Sequence, residues 1–159
     1  MLKKVLIYAA IVTMAMVNSV SAQQASPTSD QAKRIEAMVN KAAALVKTNG
    51  KAAFSAFRMR DSEWWFGNTY LFAYDKNQNV LLNPAFPERE GTNARGAKDA
   101  NGKLFVDEFV KVAQSKGSGW VDYMFPKPGQ TQPSLKWGYV KAVNIDGTPG
   151  LICAGFYPE

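Results

Sequence analysis

Residues 119–157 read GWVDYMFPKPGQTQPSLKWGYVKAVNIDGTPGLICAGFY, and this stretch decides the fold. It contains three runs, 119–125, 134–145 and 151–157, rich in the aromatic and β-branched residues that suit a pleated, half-buried surface. The first two are separated by Pro126-Lys127-Pro128-Gly129-Gln130, a cluster of turn formers, and the last two by the tight-turn pair Asp146-Gly147. Connections this short join antiparallel neighbours, so the last third of the chain is predicted to be three consecutive antiparallel strands. Side chains alternate between the two faces of a strand. That places Tyr123 and Phe125 on one face of the first run, and Lys136 and Gly138 on one face of the second.

Upstream, Leu104, Phe105, Phe109 and Val112 mark a helix that ends near Gly117. Residues 83–101 before it hold two prolines, two glycines and few aliphatics. A segment of that length inside a small domain is expected to be a structured loop with a purpose rather than a flexible linker. Further back, Tyr70-Leu71-Phe72-Ala73-Tyr74 and Val80-Leu81-Leu82 flank Asp75-Lys76-Asn77-Gln78-Asn79, which reads as a hairpin. At the front, Ser29-Asp30 offers an N-cap, and Ile35, Met38, Val39, Ala42, Leu45 and Val46 recur at helical spacing until Asn49-Gly50. Ala53, Phe54 and Phe57 suggest a short second helical piece before Trp64-Trp65-Phe66. The order predicts an α+β domain: a five-stranded antiparallel sheet with a long N-terminal helix and a helix plus loop inserted after strand two.

The N-terminus carries Lys3 and Lys4, an apolar run over 5–17 and then Asn18-Ser19-Val20-Ser21-Ala22. This is the pattern of a secretory signal peptide over 1–22, cut after Ala22. The run is shorter than the roughly 20 residues that a membrane-spanning helix needs. Residues 23–28 are then a flexible leader and 29–159 a single domain, periplasmic or secreted. Formal charge is +6, of which Lys3 and Lys4 supply two. The remaining excess is scattered, which argues for a solvated surface and against a nucleic-acid partner. The chain contains no histidine, which excludes Ser-His-Asp and Cys-His hydrolysis, His-ligated zinc, CxxCH haem attachment and phosphorelay through a histidine of this chain. No metal-ligand spacing and no cofactor motif is present. Cys153 is the sole cysteine; it lies in the apolar run Leu151-Ile152-Cys153-Ala154, the setting of a buried, inert thiol.

Taken in order, Tyr70-Leu71-Phe72-Ala73-Tyr74-Asp75, Val80-Leu81-Leu82-Asn83-Pro84, Glu90-Gly91-Thr92-Asn93 and Asp99-Ala100-Asn101-Gly102-Lys103 form a recognisable series. It continues through Gly119-Trp120-Val121-Asp122-Tyr123-Met124-Phe125-Pro126, then Lys136-Trp137-Gly138-Tyr139-Val140, and ends on Gly155-Phe156-Tyr157. The series resembles the single-domain form of the Cache family, the extracellular PAS-like sensors. The resemblance implies a sheet covered on one face by helices and a long loop, with a small ligand held between them. It also implies a membrane receptor or kinase as signalling partner, and dimerisation through the N-terminal helix.

Within that frame Tyr123, Phe125, Lys136 and Gly138 outline a small pocket with one cation, and Trp64, Tyr70, Phe72 and Asn83 are the candidates to complete it. Taken singly, each aromatic reads as a core residue before it reads as a site residue. Lys136, between Leu135 and Trp137, is costly to bury without an anion, so it either meets an anionic ligand, pairs with an internal acid, or lies on an exposed face. Arg58 and Arg60 read as surface residues, and Glu88 and Glu90 as a solvated turn rather than an acid–base pair. The resulting expectation is an exported sensor module for a small organic acid or other anionic metabolite. The alternatives are a Schiff-base enzyme built on Lys136, or a structural domain whose pocket is collapsed.

Overall fold

A computed structural model describes residues 26–158; the predicted signal segment and the first half of the predicted leader, residues 23–25, lie outside these. The long helix, α1 (Asp30–Asn49), starts where Ser29 Oγ accepts the amide of Ala32 at 3.2 Å, with Asp30 in the first turn, a favourable place for negative charge. Its buried stripe includes Ile35, Met38, Val39, Ala42 and Val46. Side chains as fully buried as Ile35 and Val39 each contribute about 1.5–3 kcal/mol relative to exposure, so packing, more than propensity, holds this helix. The helix stops at Gly50, whose φ is +58°. A Cβ there would also collide with the carboxylate of Asp146, so the residue that ends α1 must be a glycine for two separate reasons.

A short 3₁₀ turn (Gly50–Ala53) leads into α2 (Phe54–Phe57), then β1 (Trp65–Phe66), β2 (Thr69–Asp75) and β3 (Val80–Leu82). The loop carries a 3₁₀ turn (Pro87–Arg89) and feeds α3 (Phe105–Lys116), followed by β4 (Ser118–Pro126), β5 (Pro133–Ile145) and β6 (Thr148–Phe156). All pairings are antiparallel, in the order β1-β2-β6-β5-β4, with β3 on the end of β2. The sheet therefore has six strands where five were expected. The addition is the two-residue β1, registered Trp65↔Tyr70, which is too short for any periodicity to reveal.

The final strand, β6, lies at the centre between β2 and β5. Both faces of the sheet are covered. Leu71, Ala73, Trp137, Ile152, Ala154 and Phe156 pack under α1, whereas Tyr70, Phe72, Tyr123, Phe125 and Cys153 form the opposite core with Phe105 and Phe109 of α3. That double cover explains why β2 reads as a continuous apolar run instead of alternating with polar residues. The loop is structured, as its length suggested. Val80 N bonds Thr92 O, Gly91 N bonds Val80 O and Ala94 N bonds Gln78 O, each at 2.9 Å, so it runs beside β3 and lays Phe86 and Ala94 on the second core. Among the described residues no helix is long and apolar enough to cross a membrane.

Candidate functional site

Lys136 sits on β5 directly across from Tyr123 of β4. Strand alternation sends Trp137 toward α1 and Lys136 to the other face, where it is only 1% exposed. Its stem runs over Gly155 of β6: a Cβ at Gly155 would lie 3.0 Å from Lys136 Cε and collide with the Trp137 carbonyl. The ammonium donates to the Tyr70 hydroxyl at 3.1 Å. It is ringed by Tyr70, Phe72, Tyr123, Phe125 and Tyr157, at 4.3, 4.9, 5.9, 5.3 and 5.3 Å from the ring centroids. Among the described residues no carboxylate comes within 4.0 Å of it.

Of the three environments open to Lys136, then, the protein supplies neither the exposed face nor the internal ion pair. Ring quadrupoles attract the cation but offset only part of its lost hydration. Burial accordingly lowers the Lys136 pKa to about 7, with Cys153 opposing the shift. The hydroxyls of Tyr70 and Tyr123 are pushed well above their ordinary value, chiefly by burial, and so stay protonated. Cys153 is fully buried and its thiol is raised by burial, consistent with an inert packing role.

These groups border a closed cleft lined by Tyr70, Phe72, Tyr74, Asn83, Phe105, Tyr123, Phe125 and Lys136, where the side chains leave no space wide enough for a water molecule. The pocket is thus closed in this structure, and a small ligand enters it only if the aromatic side chains or the loop above them shift. Wider depressions of about 450 and 590 Å³ lie elsewhere on the surface, but neither is bordered by a buried charge.

Six of the eight predicted site residues, Tyr70, Phe72, Asn83, Tyr123, Phe125 and Lys136, meet at this cavity. Gly138 is on the same face without lining it. A Cβ there would lie 3.1 Å from Tyr123 Cε1, so the glycine lets the Tyr123 ring lie across the neighbouring strand. Trp64 is on the wrong face: it packs on Phe57, centroids 4.9 Å apart, in the core beneath α1. Its neighbour Trp65 takes the other face, 6.1 Å from Tyr70, because adjacent residues at the start of a strand point opposite ways.

Sequence reasoning missed Tyr74, Phe105 and Tyr157. Tyr74 was recoverable, since it continues the period-two series of Tyr70 and Phe72. Phe105 and Tyr157 carry no local signal, because they arrive from elements distant in the chain. Glu90 is neither a free turn residue nor an acid–base group. It takes two hydrogen bonds from Arg58, at 2.8 and 2.9 Å, and one from the Asn83 amide at 2.7 Å. Asn83 Oδ1 in turn accepts from the Phe86 amide at 3.2 Å, so these residues fasten the first part of the loop over the cavity.

A single antiparallel sheet with a long helix across one face, and a helix plus strapped loop closing a small cavity on the other, is the build of a PAS-like sensor domain. The chain belongs to the family described as Single Cache domain 2, whose model matches residues 3–146. It is similar to the methyl-accepting chemotaxis protein McpP of Pseudomonas putida, 28% identical over 90 residues, covering 57% of this chain and 16% of that receptor. The chain thus spans about a sixth of that relative's length. Among solved structures it is similar to a periplasmic sensor domain of a chemotaxis protein, at 32% identity and a TM-score of 0.71, covering 81% of this chain and 95% of that one. It shares its fold with a Cache chemosensory domain described for carboxylic acid recognition, at 24% identity and a TM-score of 0.69, covering 81% and 94% of the two chains.

Proposed function

We propose that this protein is an exported sensor module that binds a small carboxylate in the cavity around Lys136 and presents its ligand state to a membrane signalling partner. The observation that carries the reading is the buried ammonium ringed by aromatic side chains with no carboxylate beside it among the described residues. Such a charge is costly to hold dry, and a ligand carboxylate offsets that cost through charge-assisted hydrogen bonds from Lys136 and the protonated Tyr70 and Tyr123. The similar Cache domain described for carboxylic acid recognition and the similar chemotaxis receptor support the ligand class and the kind of partner. The signal-like residues 1–22 support export.

Thermal-shift and calorimetric titration with small carboxylates and their size-matched amides tests the reading. Acids should raise the melting temperature, with about 2.7 kcal/mol of added stability at a hundred times Kd, and amides should not. Lys136→Met should weaken acid binding about ten- to a hundredfold. Equal stabilisation by amides, or an unchanged Kd in the Lys136→Met variant, overturns it.

A further inference from the structure

We infer that Arg89 is a second anion-binding residue of this site and that the ligand is a small dicarboxylate, one end held by Lys136 and the other by Arg89; the inference rests on the reading of the cavity as a carboxylate site. Arg89 closes the 3₁₀ turn Pro87–Arg89 in the loop. Its guanidinium carbon lies 5.2 Å from the centroid of Phe125, and Lys136 Nζ lies 5.3 Å from the same centroid. Phe125 lines the cavity, so one ring bears a cation from the sheet and another from the loop.

Arg89 is not occupied elsewhere. Its Nε is buried and has no hydrogen-bond partner among the described residues. The carboxylate next to it in the chain, Glu90, is already engaged by Arg58 and the Asn83 amide. The residue as a whole is only partly buried, but its Nε–H is shut off from solvent and stays without an acceptor until one arrives. Trp65 Nε1, in the same core beside Tyr70, is a further buried donor without a partner. No carboxylate lines the cavity, so the groups facing it are donors and cations in excess of acceptors.

A monocarboxylate satisfies Lys136 and leaves Arg89 as it is. A dicarboxylate reaches both, with its methylene carbons against Phe125. The guanidinium fork is shaped for such an oxygen pair, and Nε–H is one of its prongs. The charge of Arg89 also opposes the rise of the Tyr70 and Tyr74 hydroxyls, which places its field inside the aromatic core.

Calorimetry on the full domain at about pH 6.5, comparing propionate with malonate and butyrate with succinate, decides the matter. Each dicarboxylate should bind about ten- to a hundredfold tighter than its monocarboxylate match. Arg89→Gln should erase that preference while leaving monocarboxylate affinity within about twofold, Arg89→Lys should restore part of it, and Lys136→Met should weaken both series. A wild-type protein that binds propionate and butyrate as tightly as the diacids overturns this inference and leaves the carboxylate site standing; that comparison needs no variant to fold. Retention of the diacid preference in folded Arg89→Gln overturns it as well. Binding of neither series removes the site and the inference together.

Discussion

At Lys136 two demands on one side chain conflict: the fold is more stable with the amine neutral, whereas an anionic ligand needs it charged. Its folded pKa of about 7 stands below its ordinary 10.5. Between those values the unfolded chain holds more protons than the folded one, so this residue makes stability rise with pH across that window. Lys136→Met should therefore stabilise the ligand-free protein by roughly 1–4 kcal/mol at pH 7 and below. The gain should fade toward pH 10.5, as read by urea denaturation at several pH values. A gain that did not vary with pH would mean that the lysine is not desolvated. In the wild type, anion affinity should hold steady below about pH 7 and then fall by up to tenfold per unit above it, because the protonated fraction falls at that rate.

Among the elements, the loop over 83–101 lies over the second core, and its hold is chemical as well as steric. The two Arg58 hydrogen bonds, followed by the Asn83 amide, keep the Glu90 carboxyl below its ordinary range despite partial burial. A depressed carboxylate pKa contributes stability that is present above the unfolded value and is lost as pH falls through the folded one. The loop should thus loosen in acid. Glu90→Gln imitates that state at neutral pH. Since Arg58 is 42% exposed, the loss is put at about 1 kcal/mol, or about fivefold faster tryptic cutting after Arg89 and Arg95, slowed again by bound ligand. Cutting at the wild-type rate in Glu90→Gln would show that the ion pair does not fasten the loop. The loop's ordered nature was legible from its length and its turn formers. Its latch was not, because Arg58 and Glu90 are 32 residues apart, and neither side chain announces the other.

Across the whole molecule, α1 covers one face of the sheet and the cleft around Lys136 lies on the other, so a ligand bound as proposed would sit on the opposite side of the same strands from the helix. The proposed export is tested at this scale: protein recovered from the extracytoplasmic fraction should begin at Gln23 by intact mass, because Val20-Ser21-Ala22 supplies the small residues a signal peptidase accepts. Full-length chain in the membrane fraction would make it a tethered module instead. By itself, the sequence determined what depends on neighbours along the chain: the Ser29 cap, the Gly50 stop, the Asp146-Gly147 turn, and the shared faces of Tyr70 with Phe72 and of Tyr123 with Phe125. Period and turn chemistry are local, so they survive without knowledge of the fold. Only the tertiary structure decided that Trp65 rather than Trp64 joins the cavity face, that Phe105 and Tyr157 arrive there, and that Lys136 is buried with no acid beside it among the described residues. Those facts follow from β6 lying between β2 and β5, and burial and charge pairing are set by which distant strands become neighbours.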